Sequence, residues 1–378
     1  MLTAYSPLNR KNFHIYGRIP DQEQAALTLL WTGSGVEFLT DSSEVWLDLE
    51  SDYAIREEWI RMEVDGVCMQ RCIVPKGRST VCVFRGFSMG QFHSIRILKE
   101  SQPWQEDENR FFLMHSVLCD GTVCEAVRKK YRLEFVGDSL SSGEGLSGPT
   151  GLVSPCSGVF GLDGHYAVRT ADALQADFRI LAQSGWGVCC GWNNNPEYTM
   201  PRYYEQVCGI AKGMRNRELG VLEHNDFGAW KPDAVVVNLG SNDGFALNEP
   251  AWVDPVDKKV WKQCLAADGR MDKDSAERFE HAAVSFLKQL RRDNPDAWLI
   301  WAYGMIDHMM QPYLEESMRQ YLKESGDEKA EFLCLPAGCA AWLGSNNHPG
   351  RKAHKAASEV LIKELEKRLQ ETSQAEQF

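Results

Sequence analysis

Apolar residues follow two different patterns in this chain, and the change between them falls near residue 119. Before it, short runs alternate or cluster at 45–49, 59–64, 72–75, 80–84 and 93–98. Asp65 and Gly66 suit a tight turn between two of these runs. Many short strands separated by turns predict an antiparallel β-sandwich over the first part of the chain. After residue 130, apolar runs at 131–136, 233–239, 297–303 and 331–335 alternate with helical patterns at 166–182, 201–218, 273–293, 311–325 and 350–371. Alternation of this kind predicts a mostly parallel sheet covered by helices on both faces. The expected division is therefore a first domain over 1–125 and a second over 126–378, with a length of 378 residues to fill both. The residues after Gln370 are expected to fray.

A mostly parallel sheet places ligands outside the carboxyl ends of its strands. The polar, glycine-rich turns fall at those ends. Gly137, Asp138 and Ser139 end the first run, and Gly240, Ser241, Asn242 and Asp243 end a later one. A serine hydroxyl at a sharp turn can act as a nucleophile if a base takes its proton, although Gly-Asp-Ser alone equally suits a helix cap. An asparagine amide can donate to a developing oxyanion, and a glycine such as Gly185 lets a backbone N–H approach closely. His348, just before the last helix, is suited to shuttling a proton near neutral pH.

Charge narrows the partners. Asp and Glu total 53 against 41 Lys and Arg, a net charge of -12. This argues against nucleic acid or an anionic membrane as partner, and leaves neutral substrates such as sugars open. No 18-residue window is apolar enough to span a bilayer, and residues 1–18 lack a secretory pattern. The chain is expected to be soluble and cytoplasmic. Its 12 cysteines include no Cys-x-x-Cys pair and are expected to be reduced. Asp163 and His165 could bind a metal only with distant ligands.

Taken together, the segments around Ser139, Gly185, Asn242 and His348-Pro349 resemble the four ordered blocks of the SGNH, or GDSL, hydrolases, with Gly187 competing with Gly185 for the second block. The likeness covers roughly residues 131–370. The whole arrangement resembles carbohydrate esterase family 2, in which an N-terminal jelly-roll sandwich precedes a three-layer α/β/α SGNH hydrolase domain. The resemblance implies a carbohydrate O-acetylesterase acting on acetylated oligosaccharides of xylan or mannan type. It implies Ser139 as nucleophile and His348 as base, with Ser139, Gly185 and Asn242 forming the oxyanion hole, an acetyl-serine intermediate, and no metal or organic cofactor. Asp138 is then expected to organise the turn and Asp243 to support the Asn242 loop. Trp186 and Trp342 are expected as sugar-stacking faces, and Trp192 as a packing or rim residue.

One departure stands out. SGNH enzymes commonly carry Asp three residues before the histidine, and some family 2 members carry it two before; here those positions are Ser345 and Asn346. Asn346 or a backbone carbonyl is expected to orient the imidazole, giving a Ser–His dyad, with Asp243 and Asp307 as remote alternatives. Other SGNH activities (lipase, thioesterase, arylesterase) and a noncatalytic carbohydrate-binding role are the competing functions.

Overall fold

The computed structural model describes residues 1–21 and 24–375. It is a mixed α/β protein that divides into two compact units. The first comprises 1–129 together with 155–162 and 205–225; the second comprises 130–154, 163–204 and 226–378. The last three residues of the chain, within the stretch expected to fray, lie outside the described residues; the final helix runs Arg351–Ala375.

The first unit holds two antiparallel sheets. One orders Thr3–Tyr5, Phe111–Cys119, Glu44–Asp52 and Gly77–Arg85, with Leu27–Thr28 also pairing to Phe111–Cys119. The other orders Val123–Glu125, Gly35–Thr40, His93–Lys99, Glu58–Val64 and Val67–Val74, with His14–Tyr16 on Gly35–Thr40. Period-two alternation sends Val45, Leu47 and Leu49 of the first sheet and Val36, Phe38, Ile60, Met62, Ile95 and Ile97 of the second into one core. Asp65 and Gly66 both take positive φ (49° and 77°) and join Glu58–Val64 to Val67–Val74, as a two-residue hairpin turn requires.

Two segments lying within 126–378 pack with this unit. Arg71 donates to the Phe160 carbonyl at 2.7 Å, Trp31 Nε1 to the Val207 carbonyl at 2.7 Å, and Asn216 Nδ2 to the Arg110 carbonyl at 2.7 Å. The helix expected over 201–218 is accordingly replaced by a 3₁₀ turn at Pro201–Tyr203 and a short helix at Met214–Glu218. Gly209 and Gly213 lie between these two elements.

The second unit is built on a five-stranded parallel sheet. Its order is Ala176–Ala182, Tyr131–Gly137, Ala234–Asn238, Trp298–Tyr303 and Ala330–Cys334. The chain thus moves one way for its second strand and the other way for the rest, and right-handed crossovers then place helices on both faces. Tyr166–Ala173 packs with Arg351–Ala375, and Lys273–Asp293 with Gln311–Ser325. The helix expected over 166–182 stops at Ala173. Gln175 turns the chain with φ 52°, and 176–182 becomes an outer strand of the sheet. Register sets the next level of order: Gly137 pairs with Ala182 on one side and Asn238 on the other. Three strands therefore finish together, immediately before Ser139, Gly185 and Asn242.

Candidate active site

Ser139 opens the four-residue helix Ser139–Ser142 directly after its strand. Asp138 caps that helix: its Oδ1 accepts from Leu140 N at 3.0 Å. As the first helical residue, Ser139 has an N–H with no intrahelical acceptor, so it can serve a ligand. Ser139 is 7% exposed and Asn242 6%, so both sit in a nearly dry rim. Asn242 Nδ2 donates to the Trp186 carbonyl at 2.9 Å and to Asp138 Oδ2 at 3.2 Å. Burial pushes the Asp138 carboxyl up to about 7, with the charges of Asp243 and Glu144 adding to the effect and the Leu140 N–H opposing it.

At the second block, Gly185 and Gly187 differ in what their N–H groups bond. Gly187 donates its N–H to the Tyr198 carbonyl at 3.1 Å and accepts from Met200 N at 3.0 Å, so its N–H is committed to the loop. A side chain on Gly187 would lie 2.3 Å from Asp243 Oδ2, so glycine is required there for the carboxylate to approach. Asp243 is fully buried and accepts from the N–H groups of Val188 (2.9 Å), Cys189 (2.8 Å) and Cys190 (3.1 Å). It thereby ties the Asn242 segment to the Gly185 segment. Burial nonetheless pushes its carboxyl up to about 6, against those three donors.

His348 arrives on a loop fastened to the turn that follows Ser139. Ser345 N donates to the Gly145 carbonyl at 3.1 Å, and Asn346 N to the Leu152 carbonyl at 2.5 Å. Gly145, with φ 91°, lies so close that a side chain there would meet His348 Cβ at 2.7 Å. His348 Nδ1 lies 2.7 Å from the carbonyl oxygen of Asn346. A carbonyl only accepts, so Nδ1 carries the proton, and in the neutral ring Nε2 presents a lone pair. The group orienting the imidazole is therefore the Asn346 backbone, not its side-chain amide. Neither remote acid takes part: Asp243 is engaged as above, and Asp307 accepts from Tyr303 OH (3.0 Å) and Met309 N (2.9 Å). Among the described residues no hydrogen bond joins Ser139 to His348. They share a neighbour instead: Glu144, whose N–H donates to the Ser139 carbonyl at 3.1 Å and whose Oε2 lies 3.5 Å from His348 Nε2.

Glu144 is the residue that sequence reasoning passed over. Its signal in the sequence is an acid held between two glycines, Gly143 and Gly145, five positions after the serine. The expectation for Trp186 also needs correction. Trp186 is 1% exposed and stacks on Tyr198, with ring centroids 5.4 Å apart, so it has no free face for a sugar. Trp192 is 47% exposed, and its ring lies against Gly185, where an added Cβ would be 2.9 Å from Cδ1. Trp342 is half-buried and lines an apolar cavity of about 250 Å³ with Met305, Leu343 and Pro349. His165 is fully buried, with Nε2 on the Ser141 carbonyl (3.0 Å) and Nδ1 accepting from Ala167 N (3.1 Å); Asp163 pairs with Arg351. Among the described residues no cluster of three or more His, Cys, Asp or Glu side chains could hold a metal, and the 12 cysteines form no disulfide. No described helix is long and apolar enough to cross a membrane.

No protein-family model matches the chain. Its structure superposes on an acetyl xylan esterase, Est2A, from the rumen bacterium Butyrivibrio proteoclasticus with a TM-score of 0.95 and 35% identity, over 98% of both chains. A family two carbohydrate esterase from Clostridium thermocellum, solved with cellohexaose, shares the fold at a TM-score of 0.76 and 22% identity, over 94% of this chain and 99% of that one. In sequence, the cellulase/esterase CelE of Acetivibrio thermocellus is 24% identical over 348 residues, which is 90% of this chain but only 37% of that protein's length. The identity and coverage shared with the Butyrivibrio esterase, on a fold that brings the four blocks to one sheet edge, place this chain in carbohydrate esterase family 2, among the SGNH hydrolases.

Proposed function

We propose that this chain is a carbohydrate O-acetylesterase that removes acetyl groups from oligosaccharides of xylan or mannan type. The observation that carries the proposal is the imidazole of His348. Its Nδ1 proton is committed to a backbone carbonyl, and its Nε2 lone pair is held beside the turn that bears Ser139. Such a dyad needs no carboxylate to fix the tautomer, although it gives up the charge support an Asp would lend to the imidazolium.

In this reading His348 Nε2 takes the Ser139 proton as Oγ bonds to the acetyl carbon. The N–H groups of Ser139 and Gly185 receive the oxyanion. Asn242 joins them by releasing the longer of its two bonds, the one to Asp138. The carbon–oxygen bond to the sugar then breaks while His348 protonates the departing sugar hydroxyl. Water, deprotonated by His348, attacks the acetyl-serine; the bond from the acetyl carbon to Oγ breaks, His348 returns the proton to Oγ, and acetate leaves. No step requires a metal or organic cofactor. The first unit, with two antiparallel sheets around one core, fits a jelly-roll accessory domain. Trp192, exposed beside Gly185, is the aromatic face that fits a sugar ring.

Time-resolved NMR of acetylated xylo- and manno-oligosaccharides tests the proposal. Acetate should appear with wild-type protein and nearly vanish with Ser139→Ala. Undiminished turnover by that variant would remove Ser139 from the mechanism. Faster cleavage of octanoyl than acetyl esters would favour a lipase-like activity instead.

A further inference from the structure

Glu144 is a buried acid at this rim to which the mechanism above gives no task. It is 5% exposed, and its carboxylate is shared three ways. Oε1 accepts from Asn346 Nδ2 at 2.6 Å, Oε2 accepts from Ser184 Oγ at 2.7 Å, and Oε2 also lies 3.5 Å from His348 Nε2. A carboxylate removed from water must be offset by donors, and here both donors belong to segments that carry the chemistry. Ser184 precedes Gly185. Asn346 supplies the carbonyl that holds His348 Nδ1.

We propose that Glu144 is the positioning residue of this active site and takes over, from the opposite side of the imidazole, the work of the missing aspartate. The proposal rests on the acetylesterase reading above. An aspartate in its usual place would grip Nδ1 directly and balance the imidazolium charge. Here the two tasks are divided. Asn346 sits in the left-handed region with φ 49°, followed by Asn347 with φ 55°, so its carbonyl needs an external hold to stay aimed at Nδ1. The bond from the Asn346 side chain to Glu144 Oε1 provides that hold across 202 residues of chain. The charge task falls to Oε2. Nε2 is the nitrogen that receives the Ser139 proton, and a carboxylate oxygen already fixed by Ser184 stands 3.5 Å from it, so the imidazolium charge forms beside a counter-charge while its N–H serves the sugar oxygen. Glu144 itself gains and loses no proton: the proton passes from Ser139 Oγ to Nε2 and on to the sugar oxygen. The same peptide segment fastens Glu144 to the nucleophile, since its N–H donates to the Ser139 carbonyl.

The test compares Glu144→Gln and Glu144→Ala with wild type and Ser139→Ala, using acetylated xylo-oligosaccharide turnover, ¹⁵N-imidazole NMR of His348 and thermal unfolding. Glutamine keeps the volume and one acceptor for Asn346 while removing the charge. It should lower kcat on the order of 10²-fold, the size of effect that loss of one electrostatic partner of the transition state brings, while KM changes less than about threefold. Glu144→Ala should in addition convert His348 from a single Nδ1–H tautomer to a mixture. A merely structural residue would lower the unfolding temperature without either change. Wild-type kcat in Glu144→Gln together with an unchanged tautomer in Glu144→Ala, while Ser139→Ala stays inactive, overturns the proposal and leaves the acetylesterase reading intact. Should Glu144→Ala not fold, Glu144→Asp supplies the tautomer readout, because its shorter arm withdraws from Asn346. Absence of acetate release by wild type, or activity persisting in Ser139→Ala, removes the acetylesterase reading and this proposal with it.

Discussion

Acidification should act on the second unit through one imidazole bonded to the helix that Ser139 opens. His165 caps the helix Tyr166–Ala173 with Nδ1 and donates from Nε2 to the Ser141 carbonyl, so both nitrogens are committed in the neutral ring. Complete burial pushes its pKa down from 6.5 to about 4, with the Ser141 bond opposing. The unfolded chain then binds a proton that the folded chain refuses. Stability is fully present above the unfolded value of 6.5 and falls as pH drops towards 4, by about 3 kcal/mol from this residue alone. His354, also fully buried and accepting from Tyr166 N at 3.1 Å, is held well below its ordinary value and acts in the same direction. Asp138 and Asp243 act oppositely: their raised carboxyls favour the folded state as pH falls through 7 and 6. A single pH curve therefore sums opposed effects, and the informative quantity is a difference. His165→Asn keeps a side-chain acceptor for the helix cap and removes the titration. In urea unfolding at pH 4, 5, 6 and 7, the stability of His165→Asn relative to wild type should rise by about 3 kcal/mol between pH 7 and pH 4. Parallel curves across that range would refute the argument that burial holds His165 neutral.

Other outcomes follow from the same geometry. Asn242→Ala, which removes a proposed oxyanion donor, should lower kcat by about 10²–10³-fold with KM little changed, measured on acetylated oligosaccharide. Trp192→Ala should raise KM for acetylated oligosaccharides roughly tenfold, equivalent to about 1.4 kcal/mol, and leave KM for 4-nitrophenyl acetate unmoved; equal effects on both substrates would dismiss the ring as a sugar platform. Gly187→Ala places a methyl against Asp243 Oδ2 and the Cys190 carbonyl, so calorimetry should register a loss of about 1–3 kcal/mol, accompanied by reduced kcat as the Asn242 segment shifts.

Much of this was legible in short stretches of chain. Strands over 45–49 or 298–303 and helices over 273–293 and 311–325 announce themselves by period, because the side chains that share a face are two or three to four residues apart. Asp65-Gly66 and Asp138-Ser139 are equally local: a positive-φ turn and a helix cap need only their own neighbours. The reading failed where a segment's fate depended on distant partners. The pattern over 166–182 continued through Gln175 as though helical, yet 176–182 gained more by pairing with Tyr131–Gly137 as an outer strand. The segment 205–225 looked like part of the second unit's alternation and is held by Trp31 and Arg110 of the first.

The sequence by itself determined which chemical groups were available: a serine, an imidazole and amide donors, each in a turn whose conformation is written in four or five adjacent residues. Only the tertiary structure decided how they are served. The register of Gly137 with Ala182 and Asn238 brings three of those turns to one edge. Hydrogen bonding to Tyr198 commits the Gly187 N–H to its own loop. Stacking on the same Tyr198 buries Trp186 and leaves Trp192 outside. Glu144 reaches the histidine loop because two glycine-bounded turns meet. Local conformation is fixed by sterics within a few residues, whereas which carboxylate stands beside an imidazole is fixed by packing, and packing joins positions that no pattern along the chain relates.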